Sequence, residues 1–490
     1  MGMKSNPLLP LIALLLLGYG GFTLYQRGQL NLPGLPPRTS SSNAPSTPAT
    51  PITPPVSTPT TPVTTPTTPP ANTTSLEIEP ALFVRAELKT LFDFYNKKDW
   101  ANLLTSSDTY RRKNPTDAMA GLLREEAILK LAKSDNYRIG VSAPLTGSLR
   151  QVGEAFLQGV YLAVKEVNDN GGFLRNQKGD KNKISVRILN DAGDRTTAIK
   201  VASEMINDQY IWGVVGPYSS STLLASAPIY NAASPGTPII APAATNPKIT
   251  SAGRMIYRVA PSDSTQGAAL ARLVKSRGAN SVAVLFDEND AYSLGLAQTF
   301  KAEAGKIGLT TSDIPFVLNS ITQAKVGNFA VDAIFVSGYT ADVAAAAKVE
   351  KPFNKPIYAG DGAYGQDLIA QGGSSVDGVI VTSFWHSTLT DANSMRFTKR
   401  FQNLFGGGTP NANAMQAYDA TRAMIEAMRR MRAKPENGEG MRLALETLRS
   451  KPIDGITSPI RFDINGDMND RPWVAITVEN GKFKAVGYAK

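Results

Sequence analysis

The chain has 490 residues, of which 42 % are hydrophobic and 19 % charged, a balance that provides a packed core and excludes disorder throughout. It contains no cysteine and one histidine, His386, which excludes disulfides, cysteine nucleophiles, lipidation at an N-terminal cysteine and multi-histidine metal sites. The net charge is +10, but the basic residues are scattered without a run of five. This pattern indicates solubility, so we predict no nucleic-acid partner and no cofactor.

The N-terminus contains an uncharged apolar run at residues 6–25. About 20 helical residues cross a hydrocarbon core of roughly 30 Å. Lys4 and the α-amino group precede the run, and Arg27 follows it. This charge distribution weakly favours a cytoplasmic N-terminus and an exported body. We predict an uncleaved transmembrane anchor. The alternative is a cleaved signal peptide, for which Gly18 and Gly20 offer small residues although no Ala-x-Ala site is present.

Two segments connect this run to the main body. Residues 33–75 are rich in Pro and Thr, and 39–75 contain no charged or aromatic residue, which predicts a disordered linker. Such a linker acts as a stalk that could reach on the order of 115 Å at ~3.1 Å per residue. Residues 79–134 show apolar positions at helical spacing, with a break near Pro115, and predict two or three packed helices.

From residue 137 to residue 490 the apolar pattern alternates repeatedly between a period of two and a period of 3.6. We predict helices at residues 151–168, 196–208, 219–233, 265–277 and 293–307, with short apolar strands between them. This alternation indicates an α/β fold with doubly wound parallel sheets. Since the pattern restarts near residue 260, we expect two lobes joined by a hinge. Lobe 1 covers about 137–259 and 384–456, and lobe 2 covers about 260–383 and 457–490.

In such sheets, ligands bind beyond the carboxyl ends of the strands. In lobe 1 the stretch GPYSSST places Ser219 at a predicted helix start, and APAATNP places Ala243 and Thr245 after the next strand. A serine at a helix start is ordinarily an N-cap. Three serines in a row exceed what one cap needs, and free N–H groups at a helix start attract anions. These residues predict a carboxylate site.

Lobe 2 offers the opposite chemistry. Tyr292, Tyr339 and Asp361 each follow a predicted strand, and together they provide one carboxylate and two aromatic faces. A carboxylate pairs with an ammonium group, and aromatic rings add cation–π or packing contacts. A zwitterion such as an amino acid therefore fits between the two lobes.

The order of these stretches, including GVYLAVKEVNDNGG, WGVVGPYSSST, PIIAPAATNPKIT and YRVAPSDSTQGAALA, resembles the type I periplasmic substrate-binding proteins of ABC importers, in their leucine/isoleucine/valine-binding branch. The resemblance covers about 137–490. It implies a non-enzymatic protein in the periplasm or at the cell exterior, attached here by its N-terminal helix. It also implies that the protein delivers an amino acid or amide to the membrane subunits of an ABC permease.

The resemblance also implies individual roles. Ser219 and Thr245 would bind the ligand carboxylate, Ala243 would offer its carbonyl, and Asp361 would accept the ammonium group. Tyr292 and Tyr339 would line the cleft. Two positions depart from the branched-chain pattern: Asp361 replaces a longer acid, and Val152 falls where those proteins place an aromatic residue.

Three other interpretations remain open. The first is a ligand sensor or envelope interaction protein with the same lobes but no transport, which the linker and the helical segment favour. The second is a hydrolase, which would need His386 as its base. The third is a calcium site at Asp463, Asn465 and Asp467, whose spacing is that of the ligands in an EF-hand loop. An EF-hand loop needs glycine at its sixth position, and Met468 stands there in this chain. We predict a β-turn there.

Overall fold

The computed structural model describes residues 86–132, 136–172, 174–175, 181–232, 236–321, 330–431, 438–468 and 471–489. The anchor predicted at 6–25 and the linker predicted at 33–75 lie outside these residues. Among the residues that are described, we find no helix with both the length and the apolar character needed to cross a membrane.

Thirteen helices and thirteen strands are used below, numbered in chain order. The helices are α1 Lys89–Asn96, α2 Trp100–Lys113, α3 Ala118–Leu131, α4 Arg150–Asp169, α5 Arg195–Asn207, α6 Ser220–Ala232, α7 Asp263–Ser276, α8 Ala291–Lys306, α9 Thr340–Glu350, α10 Gln366–Gly372, α11 Ala392–Leu404, α12 Ala412–Met431 and α13 Gly438–Glu446. The strands are β1 Asn136–Ala143, β2 Leu174–Arg175, β3 Lys181–Asn190, β4 Ile211–Val215, β5 Ile239–Ala241, β6 Ile256–Arg258, β7 Ser281–Phe286, β8 Thr310–Pro315, β9 Ala333–Ser337, β10 Ile357–Ala359, β11 Ile380–Ser383, β12 Trp473–Glu479 and β13 Lys482–Ala489. Short 3-10 turns lie at Ala86–Leu88, Gly147–Leu149, Thr250–Ala252, Lys351–Phe353, Asp361–Ala363, Gly373–Val376 and Thr447–Arg449.

The first three helices pack against the first sheet and its helices. Asp99 and Asp117 cap α2 and α3, because each carboxylate accepts a hydrogen bond from a backbone N–H in the first turn. Arg111 of α2 donates to the hydroxyl of Tyr161 on α4 at 2.9 Å. Gly121 of α3 lies so close to the Tyr161 ring that a Cβ at this position would be 2.4 Å from a ring carbon. This helical segment is therefore docked closely on α4.

The first sheet has the strand order β2-β3-β1-β4-β5-β6. All neighbours pair in parallel except the short β2, which runs antiparallel to β3. Parallel strands need crossover helices, and α4, α5 and α6 lie between successive strands of this sheet. Their start points follow capping chemistry: the Asp194 carboxylate, for example, accepts from the Thr197 N–H at the start of α5.

The second sheet has the strand order β13-β12-β11-β10-β9-β7-β8. In this order, β8, β7, β9, β10 and β11 pair in parallel. Strands β12 and β13 extend the sheet beyond β11 as an antiparallel hairpin. The edge strand β8 was not among the predicted strands. Its sequence, TTSDIP, is polar and its residues are half-buried or exposed, so no apolar alternation marks it.

The chain passes between the sheets three times: after β6, after β11, and before β12. Near the second and third passages, Phe384 and Trp385 are buried, and Arg471 forms a fully buried ion pair with Asp419 of α12. Three connections therefore link the two α/β lobes. The prediction of an α/β fold with parallel sheets in two lobes is confirmed.

Candidate functional site

The residues predicted for the site lie at the carboxyl ends of strands in both lobes. Ser219 lies between β4 and α6, and Thr245 follows β5. In lobe 2, Tyr292 is in the first turn of α8, Tyr339 precedes α9, and Asp361 follows β10. Hydrogen bonds between residues after β4 and residues after β7 show that these two loop clusters are in contact.

The three consecutive serines have three different partners. Ser219 Oγ accepts from the Thr222 N–H at 3.1 Å and so caps α6. Ser220 Oγ accepts from the Asn246 N–H at 3.1 Å, which joins this turn to the loop after β5. Ser221 Oγ donates to Asp290 Oδ2 at 2.7 Å and accepts from the Ala291 N–H at 2.8 Å. One hydroxyl is thus a cap, the second orders the lobe 1 loops, and the third connects lobe 1 to lobe 2.

A buried arginine holds the loop that carries Ala243 and Thr245. Arg258 Nη1 donates to the carbonyl oxygens of Thr245 and Asn246, both at 2.8 Å, and its Nε bonds Asp467. Ala243 is half-buried, whereas Thr245 is fully buried. The guanidinium therefore restrains the backbone of the loop at Thr245 and Asn246.

In lobe 2, Tyr292 connects the aromatic and acidic groups. Its hydroxyl donates to Asp361 Oδ1 at 3.1 Å and accepts from the Gly362 N–H at 2.8 Å. The rings of Tyr292 and Tyr339 have centroids 5.3 Å apart and an interplanar angle of 35°. The structure therefore brings Tyr292, Tyr339 and Asp361 together.

The electrostatics of this region favour a cation. Burial raises the pKa of Asp361 to about 6, while the nearby Gln266 amide and the Tyr292 hydroxyl act to lower it. Burial likewise raises the pKa of Asp263 well above its ordinary value, and the Asp361 charge raises it further. The pKa values of Tyr292 and Tyr339 are raised mainly by burial, so both hydroxyls stay protonated. A positive group placed here would lower the cost of both carboxylate charges.

Four residues of this region were not predicted. Burial and the Asp361 charge raise the pKa of Tyr218, which places this lobe 1 ring near the lobe 2 acid. Asp263 and Gln266 lie in the first turn of α7, and Asp290 caps α8 by accepting from the Ser293 N–H. The sequence signal was present in SDSTQG and FDENDAY, but Asp and Ser at helix starts are ordinarily caps.

Val152 lies in the first turn of α4 and is half-buried. Burial raises the pKa of Asp367 in α10 of lobe 2, and the Arg150 charge and the side chain of its neighbour Gln151 oppose that rise. The start of α4 is thus a second point at which the lobes approach each other. The assignment of Val152 to the ligand side chain stays a prediction.

His386 follows the second passage between the lobes and is buried. Its Nδ1 pairs with the Thr388 hydroxyl at 2.7 Å, and burial lowers its pKa. The serine hydroxyls near β4 bond Thr222, Asn246 and Asp290 instead. The hydrogen bonds of His386 and of the serines therefore do not form the serine–histidine pair that a hydrolase uses.

Residues 136–482 match the family model for periplasmic binding proteins. Among curated proteins, the Leu/Ile/Val-binding protein BraC3 of Rhizobium johnstonii is 26 % identical over 377 residues, which cover 75 % of this chain and 98 % of that protein. An amino acid binding protein of Pseudomonas aeruginosa is 25 % identical over 363 residues, which cover 70 % and 91 %. Among solved structures, the leucine binding protein LivK of Thermotoga maritima superposes with a TM-score of 0.65 at 26 % identity, covering 72 % of this chain and 98 % of LivK.

Proposed function

This chain belongs to the periplasmic binding protein family, and on that premise we propose that it binds one amino acid, or a close analogue, between its two lobes outside the cytoplasm. The observation that carries the proposal is the chemical difference between the facing loops. Lobe 1 offers hydroxyls and a helix start, and lobe 2 offers an acid with two aromatic rings. The relatives named for Leu/Ile/Val and amino acid binding support the same ligand class.

In this proposal the ligand carboxylate meets the start of α6 and the loop after β5. Ser219 and Thr245 bind it through hydroxyl and N–H groups, and the positive end of the α6 dipole adds to the attraction. Ala243 contributes its carbonyl to the ammonium side. The fixed backbone around Thr245 supports this role, because a preorganised site has less side-chain and loop freedom to lose on binding.

The ammonium group meets Asp361. Its Oδ1 accepts a hydrogen bond from the Tyr292 hydroxyl, which restricts the orientation of the carboxylate. The rings of Tyr292 and Tyr339 form a wall beside it. Since Asp361 is shorter than the acid of the branched-chain pattern and Val152 replaces an aromatic residue, we propose an amino acid without naming its side chain.

Lobe closure is the step by which binding is transmitted. A ligand that contacts both loop clusters stabilises the closed arrangement over an open one, because only the closed form offers both sets of contacts. We propose that the closed form delivers the ligand to an ABC permease and that the chain acts without catalysing a reaction. We also propose that residues 6–25 anchor it in the cytoplasmic membrane.

The calorimetric test uses the purified full-length chain and the twenty protein L-amino acids, with their N-acetyl and amide forms as matched controls. We expect at least one L-amino acid to bind with 1:1 stoichiometry. Blocking either its ammonium or its carboxylate is expected to weaken the affinity at least 100-fold, because each group loses one lobe's contacts. If no amino acid of the panel produces binding heat, the proposal is wrong.

One observation favours a second candidate function, that of a ligand sensor or envelope interaction protein. Helices α1 to α3 precede the residues matched by the family model, and they dock on lobe 1 through Arg111 and Gly121. An added helical surface suits a protein partner. Deletion of the chain in cells separates the two functions: loss of amino acid uptake supports transport, and intact uptake with a lost response to the amino acid supports sensing.

A further inference from the structure

Four buried polar atoms beside the proposed ligand position have no hydrogen-bond partner within the described part of the chain. They are both carboxylate oxygens of Asp263, the hydroxyl of Thr245 and Oε1 of Gln266. All three residues have no exposed surface. A buried carboxylate without a partner is costly, and native structures keep such groups where another group binds them. These atoms therefore point to a binding role that the sequence interpretation did not assign.

The start of α7 connects Asp263 to the neighbourhood of Asp361 through Gln266. The Asp263 N–H donates to the Thr245 carbonyl at 2.8 Å, which places the start of α7 against the loop after β5. Gln266 lies one turn further along the same face of α7, and its Nε2 donates to Thr382 Oγ1 at 3.0 Å. A Cβ on Gly360, the residue before Asp361, would lie 3.5 Å from Gln266 Oε1. Gln266 thus has Asp263 one turn before it on α7 and the residue before Asp361 beside its amide oxygen.

We propose that Asp263 and Asp361 form a two-carboxylate site that holds one shared proton in the ligand-free protein and exchanges it for the ammonium group of the ligand. This inference rests on the proposed function, since it names the groups that bind the ammonium group of the ligand. The exchange balances: one proton leaves to solvent, and the ammonium group enters with its three N–H bonds intact. The two carboxylates together with the proton or the ammonium keep a net charge of −1 throughout.

The surrounding groups explain why one proton is retained. Arg258 is the cation that acts on Asp263, and its guanidinium is already engaged by Asp467 and two backbone carbonyls. The Asp290 charge raises the pKa of Asp263 and so opposes its ionisation. The nearby Thr245 hydroxyl lowers that pKa, although it does not have the geometry of a hydrogen bond to the Asp263 carboxylate. Apart from Asp263, the groups near Asp361 are neutral: they are the Gln266 amide and the hydroxyls of Tyr218, Tyr292 and Tyr339. Two full charges in this space repel each other with little compensation.

An ammonium group satisfies the site better than a neutral donor does. It brings three N–H donors, which are divided between Asp361 and the unpartnered oxygens of Asp263 and Gln266. It also brings the charge that allows both carboxylates to ionise. We therefore expect a primary amine, and we expect N-methylated amino acids to bind more weakly as donors are removed.

The first experiment needs no ligand. It compares the melting temperature of the full-length protein with that of Asp263→Asn and Asp361→Asn between pH 4.5 and pH 8. A carboxyl whose pKa is raised in the folded state binds more protons folded than unfolded, so it lowers stability as pH rises from about 4 through its folded pKa. We expect each Asn variant to melt at least 3 °C above the wild type at pH 8, with a smaller difference at pH 4.5.

Asp169→Asn is the control, because Asp169 is an exposed residue on α4 paired with Lys165. We expect it to change the melting temperature by less than 1 °C at both pH values. A merely structural role for Asp263 predicts the opposite result, a fall in melting temperature on substitution. A fall at pH 8 in both Asn variants would overturn the shared proton.

The second experiment measures the exchange. Each of the twenty protein L-amino acids is titrated at pH 7 in phosphate and in HEPES, whose ionisation enthalpies differ, so the difference in binding heat counts the protons released. We expect the wild type to release between half a proton and one proton per bound amino acid. Asp263→Asn is expected to release none and to bind at least ten-fold more weakly.

The outcomes separate the two proposals. Wild-type binding without proton release, or an Asp263→Asn variant with unchanged affinity, overturns the exchange and leaves the proposed function intact. No binding by any of the twenty amino acids overturns the proposed function and the exchange together. The melting experiment then still decides whether the two carboxylates share a proton.

Discussion

Asp419 and Arg471 form an ion pair whose two side chains are both fully buried, with Arg471 Nη2 and Asp419 Oδ2 2.5 Å apart. Asp419 Oδ2 also accepts from the Ile456 N–H at 3.3 Å, and the Arg471 guanidinium lies 6.0 Å from the centre of the Phe384 ring. The pair therefore joins α12 of lobe 1 to the residues at the second and third passages between the lobes. Removing one member leaves a buried charge without its counter-ion.

We predict that Arg471→Met lowers the free energy of unfolding by about 3–5 kcal/mol, because Asp419 stays buried and unpaired. Chemical denaturation measures the change. Lys484→Ala is the control: its partner Glu479 and Lys484 itself are more than half exposed, so the loss should not exceed about 1 kcal/mol. A double variant, Asp419→Leu with Arg471→Met, should recover most of the loss. An Arg471→Met effect as small as that of the control would contradict this interpretation.

The helices α6 and α8 meet with their N-terminal ends across the lobe boundary. Both ends carry partial positive charge, and the Asp290 carboxylate lies between them, bonded by Ser221 of α6 and by Ser293 of α8. Close approach also depends on Gly295 of α8, because a Cβ there would lie 2.3 Å from Nδ2 of Asn246 in lobe 1. The Asn246 side chain has little freedom to yield, since it also bonds Ala291 and Lys248.

We predict that Gly295→Ala weakens amino acid affinity at least ten-fold, because the added methyl group obstructs full closure of the lobes. In the ligand-free protein the preference of a helix for Ala over Gly, about 1 kcal/mol, offsets part of the cost of this overlap, so we expect a smaller effect on stability than on affinity. Calorimetry gives the affinity and thermal melting gives the stability. Gly305→Ala in the same helix is the matched control, because nothing lies within 4 Å of its Cβ position. Equal affinities of the two variants would show that Gly295 does not limit closure.

Over the whole molecule, the helical segment α1 to α3 is an addition to lobe 1. Tyr161 is the centre of its contact: the ring packs against Gly121, and Arg111 lies over the ring at 5.0 Å from its centre and bonds its hydroxyl. Arg111 also donates to the Leu404 carbonyl at the end of α11. None of these contacts involves a residue of the loops after β4, β7 and β10.

We predict that Gly121→Val loosens the helical segment without disturbing the ligand site. The new side chain would overlap the Tyr161 ring, so hydrogen exchange in α1 to α3 should become at least ten-fold faster. The affinity for an amino acid should stay within three-fold of the wild type. Gly305→Ala, also a helical glycine, should leave exchange in α1 to α3 unchanged. A parallel loss of affinity would indicate that the segment takes part in ligand binding.

Much of this architecture was predictable because local chemistry marks it. The predicted helix at 151–168 is α4, and that at 196–208 is α5, where Asp194 marks the start. The tyrosines and Asp361 were predictable as a group because strand ends in parallel sheets converge. The roles of Ser221 and Asp263 were not, since each follows from a neighbour far away in the sequence. At the level of local pattern, both residues are ordinary helix-start residues.

The order in which the second sheet is assembled has a consequence during synthesis. Its strand β11 has all four residues buried, and its neighbour β12 is made only after the intervening lobe 1 residues. A nascent chain emerging from the ribosome therefore carries an unpaired apolar edge until β12 and β13 arrive. Exposed edges of this kind recruit other strands and aggregate. A truncated polypeptide that ends before residue 473 should therefore accumulate in insoluble form or be degraded, although it contains every other strand of both sheets.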